Sequence, residues 1–323
     1  MSKAQLHPQA QLLLDKIRLA GIPPYDTLGP VVARQYYDKA CEMARGSPPV
    51  PAQVRDILIP GPATSLRARV YRPRDEANLP ILVFFHGGGY TIGSLHSHDA
   101  VCRHLSVEGD CIVVAVDYRL APEHPFPAAP DDAYAATCWV AKHGAQLGGD
   151  PQRIAVGGDS AGGNLSAVTC LQAKTCGGPK LVFQLLIYPG TDMTRSFPSH
   201  KAYGEGYLLT TALIDWFHDN YLGSQGREVD WMASPLHAAD LQGLPPAHVI
   251  TAGFDPLQDE GIAFGEKLEA AGVRVSFSHY PGMLHGFITQ PGFITDARVA
   301  LTECAGELRR AFGSDQPVGA RPD

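Results

Sequence analysis

From Leu79 onward the chain alternates short apolar runs with longer amphipathic stretches. Strand-like runs fall at 81–85, 111–117, 154–157, 181–188, 247–252 and 273–280, and several lack the polar alternation of a half-exposed strand, which suits strands covered on both faces. Helix candidates lie between and after them at 98–107, 130–146, 160–173, 210–221, 256–271 and 296–312. Strand followed by helix, repeated, predicts an α/β fold: a mostly parallel sheet with helices on both faces. Ahead of it, 57–59 and 68–71 flank a segment containing Pro60-Gly61-Pro62 and predict an antiparallel hairpin extending one edge.

Two regions break this rhythm. Residues 1–50 read as two helices, with apolar faces of Leu12, Leu13 and Ile17, then Val31, Tyr36, Tyr37 and Met43, ended by Ser47-Pro48-Pro49. Residues 190–235 interrupt the alternation later. Both are expected to form one helical cap over the C-terminal strand ends, where open α/β sheets bind ligands. The catalytic body is then 51–189 together with 236–312, and 313–323 is expected to be a flexible tail.

Composition narrows the class. With 45% hydrophobic and 18% charged residues in 323, the chain is neither disordered nor fibrous. Its net charge of −7 is spread without a basic stripe, which excludes nucleic acid and anionic lipid as expected partners. No segment reaches the roughly 18 apolar residues of a membrane span, and residues 1–10 lack a signal-peptide core, so cytoplasm is the expected location. Seven cysteines, an odd number, show neither a paired framework nor metal-ligand spacing. Most are expected to be reduced and buried. His96-Ser97-His98 lacks further ligands and reads as a polar helix start, so no metal is assigned.

The chemistry lies in two glycine motifs. His86-Gly87-Gly88-Gly89 closes the strand at 81–85, and Gly158-Asp159-Ser160-Ala161-Gly162 joins the strand at 154–157 to a small-residue helix start. Random placement of these residues would give roughly 0.2 matches to Gly-x-Ser-x-Gly and about 0.015 to His-Gly-Gly-Gly. Tight turns alone also use glycine, but here strand, turn and helix all agree with a nucleophile elbow, in which a serine sits on a cramped strand-to-helix turn. A serine hydroxyl needs a histidine to take its proton and a carboxylate to fix that histidine's tautomer. Chain order on this fold runs Ser, Asp or Glu, His. Asp255 follows the strand at 247–252 beside Pro256, and His285 follows the last strand in a glycine-containing loop. Asp259 and Glu260 read as the solvated or dipole-favoured first turn of the next helix, and His248 and His279 as structural residues within strands.

These motifs, with Asp117-Tyr118-Arg119-Leu120-Ala121-Pro122-Glu123-His124-Pro125-Phe126-Pro127-Ala128, Asp255-Pro256-Leu257 and His285-Gly286-Phe287, resemble the hormone-sensitive-lipase-like bacterial carboxylesterases, or family IV esterases. The resemblance covers residues 52–312. It implies the α/β-hydrolase fold with a helical cap, Ser160 as nucleophile, His285 as general base and acid, and Asp255 as its orienter. It also implies an oxyanion hole from the backbone N–H groups of Gly88, Gly89 and Ala161, with His86 holding the glycine loop. The stretch 117–128 reads as scaffolding, with Asp117, Arg119 and Glu123 expected in a buried ion network. The expected reaction is hydrolysis of small esters with short to medium acyl chains through an acyl-enzyme, without a cofactor. Tyr90 and Tyr188 are expected to line the pocket. An amidase or formamidase on the same fold is the alternative, and a non-catalytic ligand receptor is a second one that retention of both Ser160 and His285 opposes. The late strand and C-terminal helix could pair two copies as a homodimer.

Overall fold

The computed structural model describes residues 5–313. Of the expected tail, 314–323 lie outside the described residues. Helices α1 (Pro8–Leu19) and α2 (Pro30–Ala44) lead into the hairpin β1 (Gln53–Pro60) and β2 (Ser65–Arg72). There follow β3 (Leu79–Phe85), α3 (Asp99–Gly109), β4 (Ile112–Asp117), α4 (Ala128–His143), β5 (Gly149–Asp159) and α5 (Ala161–Cys176). Then come β6 (Phe183–Ile187), α6 (Pro198–Tyr203), α7 (Thr211–Tyr221), β7 (Ala247–Phe254), α8 (Gln258–Ala270), β8 (Val275–Leu284) and α9 (Thr295–Ala311).

Among the described residues eight strands form one sheet in the order β1-β2-β4-β3-β5-β6-β7-β8, antiparallel through β4 and parallel from β4 to β8. The uninterrupted apolar strands are covered on both faces. Ile81, Val83 and Phe85 of β3 join one core with α4, α5 and α8, whereas Leu82 and Phe84 join another with α3 and α9. A polar residue at any of these positions would be desolvated without a partner. After β3 the chain steps to β4 on one side and then to β5 on the other, so the C-terminal ends of β3 and β5 form the switch point of the sheet. Their register pairs Phe85 with Gly158 and sets the two glycine motifs side by side.

Several boundaries extend past the apolar runs. Pairing carries β1 from Gln53 and β5 from Gly149, across polar residues whose side chains carry no strand signal. The apolar faces expected on the first two helices are only partly covered. Leu12, Val31, Tyr36 and Met43 remain 45–68% exposed, while Ala10, Ala33 and Cys41 are buried. The reason is that these helices meet the sheet at only a few residues, such as Ala10 against Phe254 and Leu284, and otherwise border a cavity lined by Leu13, Ile17, Tyr37 and Met43.

The expected ion network at 117–128 also resolves differently. Arg119 makes a two-pronged contact, with Nε 2.8 Å from Oδ2 and Nη2 2.8 Å from Oδ1 of the buried Asp132 on α4. Glu123 instead receives Arg34 of α2 at the surface, and burial pushes the Asp117 carboxyl above its ordinary value. A planar guanidinium satisfies one carboxylate with two parallel bonds, so Arg119 takes the acid that can meet both prongs. Among the described residues no helix is long and apolar enough to cross a membrane.

The packing of α8 gives a direct check. Phe264 is completely buried against the sheet, and Phe264→Ala should lower the unfolding free energy by about 3–5 kcal/mol through lost burial and the cavity left behind. Urea unfolding measures it, and a loss below about 1 kcal/mol would mean that this face of the core is not packed as described.

Candidate active site

Ser160 occupies the turn between β5 and α5 at φ +55° and ψ −117°, a conformation side chains rarely adopt. Its neighbours make the turn feasible. A Cβ on Gly158 would lie 2.2 Å from the Phe85 carbonyl oxygen, and one on Gly162 would lie 1.8 Å from the same atom. The Ser160 N–H donates to the Ile187 carbonyl at 2.8 Å, which fixes the elbow on β6 as well as β3.

Residues from three strand ends meet at this serine. His285, immediately after β8, places Nε2 2.8 Å from Ser160 Oγ and Nδ1 2.7 Å from Asp255 Oδ2. Asp255, just beyond β7, is fully buried, and its Oδ1 accepts the Leu257 N–H at 2.8 Å. The carboxylate is therefore aimed from both oxygens. Glycines 88 and 89 stand at φ +124° and +56° and line one cavity of about 600 Å³ with Ser160, Ala161 and His285. Gly89 is under particular pressure: a Cβ there would fall 2.2 Å from the ring of Phe217 on α7. Only a residue without a side chain leaves room for both the ring and an exposed N–H.

The other predicted residues separate cleanly. His86 is buried behind the glycine loop, its Nδ1 2.8 Å from the Gly87 carbonyl and its ring stacked on Tyr118 at 4.4 Å. His248 meets Ser276 and His279 meets Thr251, both on the sheet and away from Ser160. Tyr90 lines the cavity as expected. Tyr188 does not. It is buried with its ring centroid 4.7 Å from that of His285, because its place at the end of β6 points it under the imidazole.

Two buried carboxylates escaped the sequence reading. Asp159, next to the nucleophile, accepts the Gly87 N–H at 2.9 Å and lies 3.0 Å from His98 Nε2, so His98 is an interior partner and more than a helix start. Burial alone would raise the Asp159 carboxyl, but the His98 charge and the Gly87 N–H outweigh it and hold it below the usual carboxylate range. The signal was an ionisable residue at the end of an otherwise apolar strand, which is expensive unless paired. Glu260 is no solvated first-turn residue either: it is 1% exposed, and burial pushes its carboxyl up against the opposing pull of His200. Its partners lie some 60 residues away, where no local spacing reveals them. Among the described residues no group of three or more His, Cys, Asp or Glu is placed to hold a metal.

The buried histidine gives the fold an acid-sensitive component. Burial, then the nearby His98, pushes His86 down from 6.5 to about 3. Between those values the unfolded chain binds a proton that the folded chain refuses, so stability falls as pH drops from about 6.5 to about 3. His86→Gln should flatten that slope by up to one proton, about 1.4 kcal/mol per pH unit. Urea unfolding at stepped pH reads it, and an unchanged slope would assign the acid sensitivity elsewhere.

A family model described as the alpha/beta hydrolase fold matches residues 82–289. A carboxylic ester hydrolase of Mycobacterium tuberculosis, LipN, is 46% identical over 289 residues, covering 88% of this chain and 77% of its own. An ethyl acetate hydrolase of Pseudomonas putida is 36% identical, covering 92% and 96%. Among solved structures, an ester-hydrolase from the Lake Arreo metagenome, bound to a bipyridine phosphonate derivative, is 43% identical with a TM-score of 0.93, covering 96% of this chain and 100% of its own. A hyperthermophilic esterase of Pyrobaculum calidifontis is 40% identical with a TM-score of 0.91, covering 95% and 98%.

Proposed function

We propose, from the premise that the chain belongs to the α/β-hydrolase family in its hormone-sensitive-lipase-like branch, that it is a carboxylic ester hydrolase working through a serine acyl-enzyme. The observation that carries the mechanism is the unbroken line Ser160 Oγ, His285, Asp255, with links of 2.8 and 2.7 Å. His285 Nε2 takes the hydroxyl proton as Oγ attacks the ester carbonyl carbon. The carbonyl oxygen, now negative, is met by the N–H groups of Gly88, Gly89 and Ala161. As the tetrahedral intermediate collapses, the ester C–O bond breaks and His285 gives its proton to the departing alcohol. Water then repeats the sequence: His285 takes its proton, hydroxide adds to the acyl carbon, and the carboxylic acid leaves as Ser160 recovers its hydrogen. Asp255 holds Nδ1–H toward itself throughout and stabilises the imidazolium. No step calls for a cofactor.

Residues 1–50 and 190–235 form the cap in this reading, and 51–189 with 236–312 the catalytic body. Its support is the cavity wall, to which Leu13 and Ile17 of α1, Tyr37 of α2, and Leu213 and Phe217 of α7 contribute. A mostly apolar space of about 600 Å³ favours short to medium acyl chains. The same reading places the protein in the cytoplasm, supported by seven unpaired cysteines of which five are buried, and recovery of the native protein outside the cell would remove that part. It also pairs two copies through β8 and α9. β8 is one of the two edge strands of the sheet with Phe277 41% exposed, and a single-chain mass in sedimentation would contradict the pairing.

An organophosphonate should leave one adduct, on Ser160, by mass spectrometry, and Ser160→Ala should abolish ester turnover. Substitution of Gly88, where a Cβ would meet the Ile92 carbonyl at 2.2 Å, should cut turnover by about 10²–10³. Undiminished hydrolysis by Ser160→Ala rejects the mechanism. A chain-length series of esters should peak at short to medium acyl groups, and a maximum at long chains would contradict the pocket assignment.

A further inference from the structure

The strand ends that carry Ser160 and Asp255 must be held at a fixed separation, because His285 can bridge them only while both of its hydrogen bonds stay short. β6 lies between their strands in the sheet, and the loop leaving β6 lies between them at the site. At one end this loop is fastened to the nucleophile: the Gly190 N–H donates to the Ser160 carbonyl at 3.3 Å, and Asn164 Nδ2 donates to the Gly190 carbonyl at 2.8 Å. At the other end two of its N–H groups converge on one side chain. Glu260 Oε1 accepts the Thr191 N–H at 2.6 Å and the Asp192 N–H at 3.2 Å, while Thr191 Oγ1 donates to the Glu260 carbonyl at 2.8 Å. Its second oxygen lies 2.8 Å from His200 Nε2 on α6.

Glu260 sits in the first turn of α8, the helix that leaves the Asp255 loop, and the Gln258 N–H donates back to the Asp255 carbonyl at 3.1 Å. Ser199 reinforces the seam from α6. Its Oγ donates to the Pro256 carbonyl at 2.6 Å, and its N–H donates to Asp259 Oδ2 at 2.9 Å. A continuous hydrogen-bonded path therefore runs from Asp255 through α8 and Glu260 to Thr191, Gly190 and Ser160. Both Glu260 oxygens are held by protein groups and the residue is 1% exposed, so although it borders the cavity its carboxylate faces the loop and α6.

We propose that Glu260 is a positioning residue for ester hydrolysis: its buried carboxylate pins the 190–192 loop to the Asp255 helix and so keeps nucleophile and orienter within reach of one imidazole. This rests on the triad mechanism above. A carboxylate in this place also carries a cost, since it is removed from water and repaid by the Thr191 and Asp192 N–H groups and His200. An apolar residue would fill the same volume but could not receive two N–H groups of a loop that has no other acceptor for them at this point.

The test compares Glu260→Gln, Glu260→Asp and Glu260→Ala in the full chain. Gln keeps an acceptor for both loop N–H groups and should stay within about threefold of the parent in kcat. Asp keeps the charge but withdraws it by one methylene, and Ala removes it; each that folds should lose about tenfold or more in kcat with KM nearly unchanged, and the rate of organophosphonate labelling at Ser160 should fall in parallel. A residue serving only the fold would instead lower Tm with kcat and labelling intact, and that result overturns the proposal. So does a rise in KM at constant kcat, or a Gln variant as impaired as Asp. Because Asp retains charge and hydrogen-bonding capacity, it keeps the question open to measurement if Ala does not fold. Failure of the parent itself to hydrolyse esters or to label at Ser160 would refute the triad reading first. An active parent with an unaffected Asp variant refutes only the role of Glu260.

Discussion

The carbonyl oxygen of Phe85 occupies the space that side chains at both 158 and 162 would need. That close approach of β3 to the β5–α5 turn dictates much of what surrounds it. It requires two glycines, it forces Ser160 into a positive-φ conformation, and it brings the strand end carrying Gly87 to Gly89 beside the serine. Local strain of this kind persists only where the surroundings over-determine it, and here they do. The parallel register on both sides of β5, the Ser160 N–H bond to Ile187 and the wholly buried strand β3 alongside leave the turn no relaxed alternative. The exposed hydroxyl is thus a product of sheet packing.

Electrostatics supplies the second layer. Each buried carboxylate near the site is met by groups from another part of the chain: Asp255 by His285, Asp159 by Gly87 and His98, Asp192 by His237, Glu260 by Thr191, Asp192 and His200. Buried charges cost several kcal/mol unless paired and hydrogen-bonded, so every one of these acids acts as a cross-link whose loss would be felt. Together they tie the glycine loop, the elbow, the β6 loop and the Asp255 loop into one frame. The walls of the cavity are different. Leu13, Ile17 and Met43 border an open space and contribute no comparable network, which suits a surface that must accept an apolar group and release it.

What the sequence revealed follows from how local each signal is. His86 to Gly89, Gly158 to Gly162 and the apolar runs are contiguous, so their strands, turns and catalytic candidates could be read directly, and chain order then picked Asp255 and His285 from among several acids and histidines. Glu260 could not be read this way. Its first-turn position on a helix predicts solvation, and only tertiary contacts with Thr191 and His200 bury it. The same holds for Asp132, which outcompetes Asp117 and Glu123 for Arg119 through geometry alone, and for Tyr188, whose direction depends on where β6 ends. For α1 and α2, apolar periodicity marks which faces favour burial but not how far each is covered, and Leu12, Val31, Tyr36 and Met43 stay 45–68% exposed.

In the proposed reaction Ser160 becomes covalently acylated by the ester before water enters. Rapid acid quench of the enzyme during turnover of a slowly deacylated ester, followed by peptide mass spectrometry, tests it most directly. The acyl group should appear on the peptide containing Ser160, at up to one per chain, and should be absent when His285 is replaced by alanine. Sustained turnover with no acylated peptide, or with the acyl group on another residue, would contradict the account.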